Sequence, residues 1–245
     1  MKLTWLIAFC EYLVKAYVYN SDVYGTYLDR WLLAADSTMQ FVGSHPYGHP
    51  EWTLLASWSG TSLTQRMETL SWFAGGNFIL GGMVTGNQTL IDYGLSIADA
   101  AGATYEMTAT GLGGEFVTWD LDCDANTCNE ESSIQTVDGR YRLRPEVLET
   151  WYYAYRATHD RKYLDWSWTA FEAINLYCRT DSGFSATKDL NAIDGGGKED
   201  KQEGFVLART WQLRFDTRMI DRGTAQQHAP MSTDTASCPP QHIAL

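Results

Sequence analysis

Apolar residues recur every three to four positions over most of the chain, which is the spacing of the buried face of an α-helix. The pattern predicts helices, arranged as pairs with short polar breaks, over residues 8–19, 26–43, 65–83, 87–107, 145–157, 161–178 and 202–213. Strand-like patterns are limited to "EFVTWD" at 115–120 and "WTLLASW" at 52–58. Repeated helical hairpins predict an all-α fold, built as a bundle, a solenoid or an α/α barrel.

The helical pattern stops near residue 210. Residues 211–245 lose apolar periodicity and collect Thr, Ser, Gln and Pro, a composition typical of disorder. We therefore expect one folded domain over residues 1–210 and a divergent, disordered tail over 211–245.

The first residues, "MKLTWLIAFC", resemble a short signal sequence but lack a small-residue cleavage site. No stretch reaches the roughly 20 apolar residues that a membrane-spanning helix requires. The sequence leaves open whether a membrane anchor precedes this part of the protein.

Charge excludes one class of partner. The chain has 30 acidic and 18 basic residues, a net charge of −12 that repels nucleic acid phosphates. It also contains 10 Trp, 14 Tyr and 9 Phe, whose flat faces either fill a helical core or stack on sugars. Nucleic acid is therefore not expected as a partner, and no protein partner is predicted.

Cysteine spacing indicates neither a zinc site nor a full disulfide framework, because the five cysteines form no C-x-x-C pair. Cys123 and Cys128 could bridge locally in a polar loop. The sequon Asn87-Gln88-Thr89 gives weak support for passage through the secretory pathway, since short sequons also arise by chance.

The stretch "YRLRPEVLET" gathers charged groups at the start of a predicted helix. Pro145 suits the first helical position, and the helix dipole favours a carboxylate at Glu146 and predicts a low pKa for it. Glu149 follows on the same face, and Arg144 lies just before the helix. The pattern fits either an ordinary acidic first turn or a general base with a supporting carboxylate and an orienting arginine.

Two other segments have simpler interpretations. "SWFAGGNFILGG" is rich in glycine but lacks the Lys-Ser/Thr ending of a phosphate-binding loop, so it predicts tight helix packing. Glu203, taken alone, is typical of a solvated helix start.

Several segments in collinear order between residues 10 and 210 carry a family resemblance. They are "EYLVKAYVY", "DRWLLAADST", "SWFAGGNFILGG", "TGLGGEF", "YRLRPEVLET" and "DKQEGFVLA". The chain resembles the class I α-1,2-mannosidases, glycoside hydrolase family 47, and especially the fungal members. The resemblance covers roughly the C-terminal half of such a domain, and it implies a partial (α/α)7 barrel of helical hairpins.

The resemblance also implies an activity and a setting. Family members bind one Ca²⁺ and remove α-1,2-linked mannose from N-linked oligomannose with inversion, which requires two well-separated carboxyl groups. The expected substrates are oligomannose N-glycans on glycoproteins. The expected location is the secretory pathway, in the ER or Golgi, or outside the cell.

Position by position, Glu146 matches the catalytic carboxylate of the Arg-Pro-Glu motif and is the candidate base. Glu149 matches a carboxylate near the calcium and the sugar, and Phe205 matches the aromatic floor under the terminal mannose. Glu115 matches a glutamate that lines the cleft, with Gly114 in place of the family's proline. The complete substrate-binding set implied by the resemblance is Arg144, Glu149, Glu115, Phe205, Glu203 and Glu11.

Departures from the family pattern change the expected chemistry. Ile7 stands where the family has a second catalytic Asp, and the third carboxylate lies in a region without a match here. Thr69 and Trp72 replace the family's His and Cys, and Arg209 replaces a Glu near the calcium. The segment with the calcium-binding Thr has no counterpart, so no metal ligand is assigned and the calcium site is expected to be empty.

The resulting hypothesis is a mannosyl-oligosaccharide 1,2-α-mannosidase that is inactive as written, read from a shortened or frame-shifted gene. The alternative is a non-catalytic oligomannose-binding or degenerate relative. A helical scaffold unrelated to sugars would require the collinear motifs to be accidental.

Overall fold

The computed structural model describes residues 3–122 and 133–206. Cys123, Cys128, Arg209, the boundary at residue 210 and the tail over 211–245 lie outside these ranges. Most of the predicted helix over 202–213 also lies outside them.

Helices dominate the described residues and follow the predicted order. They are α1 Leu3–Tyr19, α2 Ser21–Phe41, α3 Phe73–Thr85, α4 Gln88–Glu106, α5 Glu146–Thr158 and α6 Lys162–Ala173. A 3₁₀ turn at Thr69–Trp72 leads into α3, and a π-helical turn at Ile174–Cys178 extends α6. All but the last of the predicted helices correspond to these elements.

Within residues 3–122 and 133–206, seven short strands connect the helices and pair antiparallel. They are β1 Gly43–Ser44, β2 Leu54–Leu55, β3 Ser57–Trp58, β4 Leu63–Thr64, β5 Arg66–Glu68, β6 Phe116–Trp119 and β7 Ile134–Asp138. β5, β6 and β7 form a three-stranded sheet in the order β5-β6-β7. The predicted strand at 115–120 is β6, and the predicted strand at 52–58 is divided into β2 and β3.

Several predicted helix boundaries differ from the structure. Residues 66–68 of the predicted helix 65–83 form β5, because they pair with Thr118, Val117 and Phe116 of β6. Helix α2, conversely, begins five residues before the predicted start, where Asn20 Oδ1 accepts a hydrogen bond of 3.2 Å from Val23 N. A side-chain acceptor at this position satisfies a backbone donor that the first helical turn leaves free.

Helix α3 is central in the core and packs against α1, α4 and α5. Its glycines allow this close packing, as the sequence predicts. A Cβ added at Gly94 of α4 would lie 2.6 Å from Gly75 O of α3, and a Cβ at Gly81 would overlap the buried Trp31 ring. Such contacts explain why this helix interface requires glycine.

Two hydrogen bonds link α5 to this core. The hydroxyl of the fully buried Thr150 donates to Trp72 O at 2.7 Å and accepts from Gly76 N at 3.0 Å. Trp72 is the N-cap of α3, and Gly76 lies in the first turn of that helix. Thr150 therefore fixes the position of α5 relative to the start of α3.

Within the described residues, no helix is both long and apolar enough to cross a bilayer. Cys10 and Cys178, which both lie in the described residues, are free thiols.

Candidate active site

The site forms where the segment before β6 meets the segment after β7. Glu115 N donates to Asp138 O at 2.9 Å, and Glu115 O accepts from Thr69 N at 3.0 Å. A Cβ at Gly114 would lie 2.7 Å from Asp138 O, so glycine permits this approach. The backbone thus fixes the Glu115 side chain beside residues 140–144.

Leu143 has an unusual backbone conformation next to this carboxylate. Its φ is +62°, in the left-handed region, and its side chain is buried. This conformation costs a branched residue about 1–2 kcal/mol, which the burial of the leucine side chain offsets. The neighbours on either side, Arg142 and Arg144, both approach Glu115.

Glu115 lies between two guanidinium groups. Its side chain is 4% exposed, and its oxygens accept hydrogen bonds of 3.1 and 3.0 Å from Arg144 Nε. Arg142 Nη1 lies 3.8 Å from Glu115 Oε2. The Arg144 guanidinium also lies 5.9 Å from the centre of the Phe205 ring, which brings three of the predicted site residues together.

Glu146 is the first residue of α5, and Pro145 is its N-cap rather than the first helical residue. Burial of the Glu146 carboxyl raises its pKa to about 7, although its own backbone N–H and Arg144 act to lower it. Its Oε2 atom is buried and has no hydrogen-bond partner in the described part of the chain. The predicted low pKa is therefore wrong, because loss of hydration outweighs the helix dipole.

Glu149 and Glu11 share a basic partner on α1. Lys15 Nζ lies 3.3 Å from Glu149 Oε1 and 2.5 Å from Glu11 Oε1. Both carboxylates are less than a tenth exposed, and the same ammonium lies 5.4 Å from the centre of the Phe73 ring. The predicted residues thus form two ion-paired groups, one around Glu115 and one around Lys15. Charges in both groups, on Glu115, Arg144 and Glu149, affect the pKa of Glu146.

Glu203 pairs with a lysine of its own segment. Its carboxylate lies 2.6 Å from Lys201 Nζ, and the hydrogen bond from Lys201 is the main cause of its lowered pKa. Phe205, two residues later, is partly buried against the core.

Sequence reasoning missed three residues at the site. Lys15 follows Glu11 by four positions on one helix, a spacing typical of an ion pair that would have indicated it. Arg142 belongs to the alternating run Arg140, Arg142, Arg144, which would have indicated a common face in an extended segment. The backbone of Leu143 has no corresponding sequence signal.

The family model for glycosyl hydrolase family 47 matches residues 8–213. The chain belongs to this family.

Similar proteins agree with this assignment. The chain is 42% identical over 213 residues to a probable mannosyl-oligosaccharide α-1,2-mannosidase 1B of Aspergillus fumigatus, covering 86% of this chain and 43% of that relative. It is 43% identical over 211 residues to a mannosyl-oligosaccharide α-1,2-mannosidase of Penicillium citrinum, covering 85% and 41%. The chain thus spans less than half the length of these curated relatives.

A solved structure gives the same result for the fold. An α-1,2-mannosidase from Trichoderma reesei superimposes with a TM-score of 0.79 at 37% identity, covering 85% of this chain and 45% of that one. The match confirms the predicted all-α class and places the helical hairpins in an α/α barrel.

Calcium, which the resemblance implies, does not fit the described residues. Among residues 3–122 and 133–206, no group of three or more His, Cys, Asp or Glu side chains could hold a metal ion. Glu149, the residue that matches a carboxylate near the family's calcium, already has one oxygen beside the Lys15 ammonium. No chemical step is therefore derived through calcium.

Proposed function

We propose that this chain supplies the general base and part of the sugar-binding surface of a mannosyl-oligosaccharide 1,2-α-mannosidase. The proposed reaction is hydrolysis of terminal α-1,2-linked mannose from N-linked oligomannose with inversion. The printed names of the curated relatives support this substrate.

The state of Glu146 is the main support. Its pKa of about 7 lies near neutral pH, where a general base combines an available deprotonated form with useful proton affinity. In an inverting glycosidase, the base takes a proton from the water that attacks the anomeric carbon. The buried Oε2 of Glu146, which has no partner in the described residues, is the proposed acceptor of that proton.

Glu115, Arg144 and Phe205 are the proposed sugar contacts. The Glu115 carboxylate can accept hydrogen bonds from sugar hydroxyls, since a carboxylate has more acceptor positions than Arg144 occupies. The Phe205 ring offers an apolar face for stacking on a sugar, and Arg144 lies beside both groups. In this proposal Glu149 and Glu11 stay bound to Lys15 and support the same end of α5.

Inversion also requires an acid that protonates the leaving oxygen. Glu115 contacts two arginines and Glu149 contacts a lysine, so neither can donate a proton without losing an ion pair. The resemblance places Ile7 where the family has an acidic residue. These observations favour a second candidate, an oligomannose-binding protein without turnover.

The proposed setting follows from the substrate. Oligomannose N-glycans are carried by glycoproteins in the secretory pathway, so we propose that the protein acts in the ER or Golgi or outside the cell. Dependence on calcium remains part of the family-level proposal and has no ligand set in the described residues.

Isothermal titration calorimetry with α-1,2-mannobiose tests the binding part. We expect the chain to bind this disaccharide more tightly than α-1,6-mannobiose. Glu115→Gln should weaken binding by about tenfold or more, because it removes a charged hydrogen-bond acceptor. Glu172→Gln, on an exposed part of α6, is the matched control and should bind as the wild type does.

Release of mannose from an oligomannose substrate distinguishes the two candidates. Release that is lost in Glu146→Gln, with affinity for the disaccharide retained, supports the mannosidase. Binding without any release, with or without added calcium, supports the binding protein. Failure to bind either disaccharide contradicts both.

A further inference from the structure

Arg142 has hydrogen-bonding capacity that the described residues do not use. Its Nη1 is 3.8 Å from Glu115 Oε2, which is too far for a hydrogen bond. Its Nε is buried and has no partner in the described part of the protein. A guanidinium group has five N–H donors, so Arg142 can donate several hydrogen bonds to a ligand.

The Arg142 side chain is partly exposed beside the proposed sugar site, although its Nε atom is buried. Its side chain is 28% exposed, whereas the Glu115 carboxylate beside it is 4% exposed. Arg144 already holds both oxygens of Glu115 through its Nε. Arg142 is therefore not required to fix Glu115 by hydrogen bonding, and its guanidinium lies beside the same carboxylate.

Balancing nearby negative charge is the simplest alternative role for Arg142. The positive charge of Arg142 contributes to the lowered pKa values of two other carboxylates, Asp138 and Glu203. Each has a nearer partner, however, since the main cause is a hydrogen bond from Arg140 for Asp138 and from Lys201 for Glu203. Charge balance alone thus leaves the orientation of Arg142 without an explanation.

We propose that Arg142 is a substrate-binding residue whose guanidinium donates hydrogen bonds to hydroxyl oxygens of the saccharide at Glu115. The inference rests on the proposed function and adds a contact to it. Sugars carry neighbouring hydroxyl oxygens, and the planar fork of a guanidinium can reach two acceptors at once.

Titration of α-1,2-mannobiose into the wild type, Arg142→Gln and Arg142→Lys tests this contact. We expect Arg142→Gln to raise Kd about tenfold or more, as the loss of charged hydrogen bonds would. Arg142→Lys keeps the charge but loses the fork and Nε, so we expect its Kd to stay at least about threefold above the wild type. Thermal melting checks that each variant is folded.

Arg140→Gln is the matched control from the same segment. Arg140 is bound to Asp138, with Nε 2.8 Å from Oδ1, and is 40% exposed. Its replacement should leave Kd for mannobiose within about twofold of the wild type, because a change in one partly exposed ion pair is small.

Monodeoxy analogues of α-1,2-mannobiose identify the contact directly. For the wild type, at least one analogue should have a higher Kd than mannobiose. For Arg142→Gln, that analogue and mannobiose should have the same Kd. If Arg142 had only a structural role, its replacement would raise the Kd of mannobiose and of every analogue by the same factor.

Each outcome decides the proposal. Wild-type affinity in Arg142→Lys would show that only charge matters and would overturn it, as would wild-type affinity in Arg142→Gln. If Arg142→Gln does not fold, the Lys variant and its analogue series decide alone. Absence of any mannobiose binding by the wild type instead overturns the proposed function, and this inference with it.

Discussion

Two regions of the molecule are built on opposite principles. In the glycine interface, glycines of α3 and α4 pack against each other and against Trp31 of α2. The other region is the carboxylate cluster around Glu115 and Glu146. In the glycine interface, missing side chains set the geometry, because backbone and aromatic rings occupy the positions of Cβ atoms. In the carboxylate cluster, side-chain charges set it, through pairs that Glu115 forms with Arg144 and Arg142. The first region should thus respond to added volume, and the second to pH and charge.

The largest expected effect is at the glycine interface. Gly81→Ala places a methyl group inside the Trp31 ring, so we expect a loss of about 3 kcal/mol or more in the free energy of unfolding. Urea denaturation measures this loss. Gly25→Ala is the control, since nothing lies within 4 Å of its Cβ position and it should be neutral or stabilising by up to about 1 kcal/mol. Equal stability of the two variants would contradict the close packing.

The carboxylate cluster should instead give a stability that depends on pH. The pKa of Glu146 is raised from 4.5 to about 7 in the folded chain, so the folded state binds the proton more tightly. Its contribution is complete below pH 4.5 and is lost as pH rises through about 7, amounting to about 3 kcal/mol at most.

Unfolding free energies at pH 5 and pH 8 measure this dependence. Glu146→Gln should be less sensitive to pH over this range, whereas the exposed control Glu172→Gln should behave as the wild type does. The same pH dependence in wild type and Glu146→Gln would show that Glu146 is better hydrated than the structure indicates.

The smallest of the three effects concerns Thr150, which links the core to the helix that carries Glu146. Thr150→Val keeps the shape but removes the side-chain hydrogen bonds to Gly76 N and Trp72 O, at a cost of about 2 kcal/mol. Thr38→Val is the control, because Thr38 bonds only Ala34 O within its own helix and should change stability by less than about 0.5 kcal/mol. If chemical denaturation shows that Thr150→Val lowers the free energy of unfolding by less than about 0.5 kcal/mol, Thr150 does not link the two regions.

The fold was largely predictable because its signals are local. Helical periodicity gave the order of the helices, and the glycines of "SWFAGGNFILGG" indicated close packing before any partner was known. Strands of two or three residues, such as β1 and β5, are too short for a periodic pattern. Residues 66–68 were assigned to a helix because their pairing with β6 depends on residues about fifty positions away.

The site was less predictable because its properties come from distant contacts. The resemblance identified Glu115 and Glu146, but the pKa of Glu146 depends on burial by the rest of the fold. Likewise Lys15 is 134 residues from Glu149 in sequence, so no spacing rule connects them. Their assigned roles in binding and catalysis stay predictions until the variants are measured.

The left-handed backbone at Leu143 has a consequence for affinity. The turn aims Arg142 and Arg144 at one carboxylate before any ligand arrives. Ordering a long side chain during binding costs about 0.5–1.5 kcal/mol of conformational entropy. Because Glu115 already holds Arg144, folding rather than association bears that cost for this side chain, which lowers Kd by about twofold to tenfold.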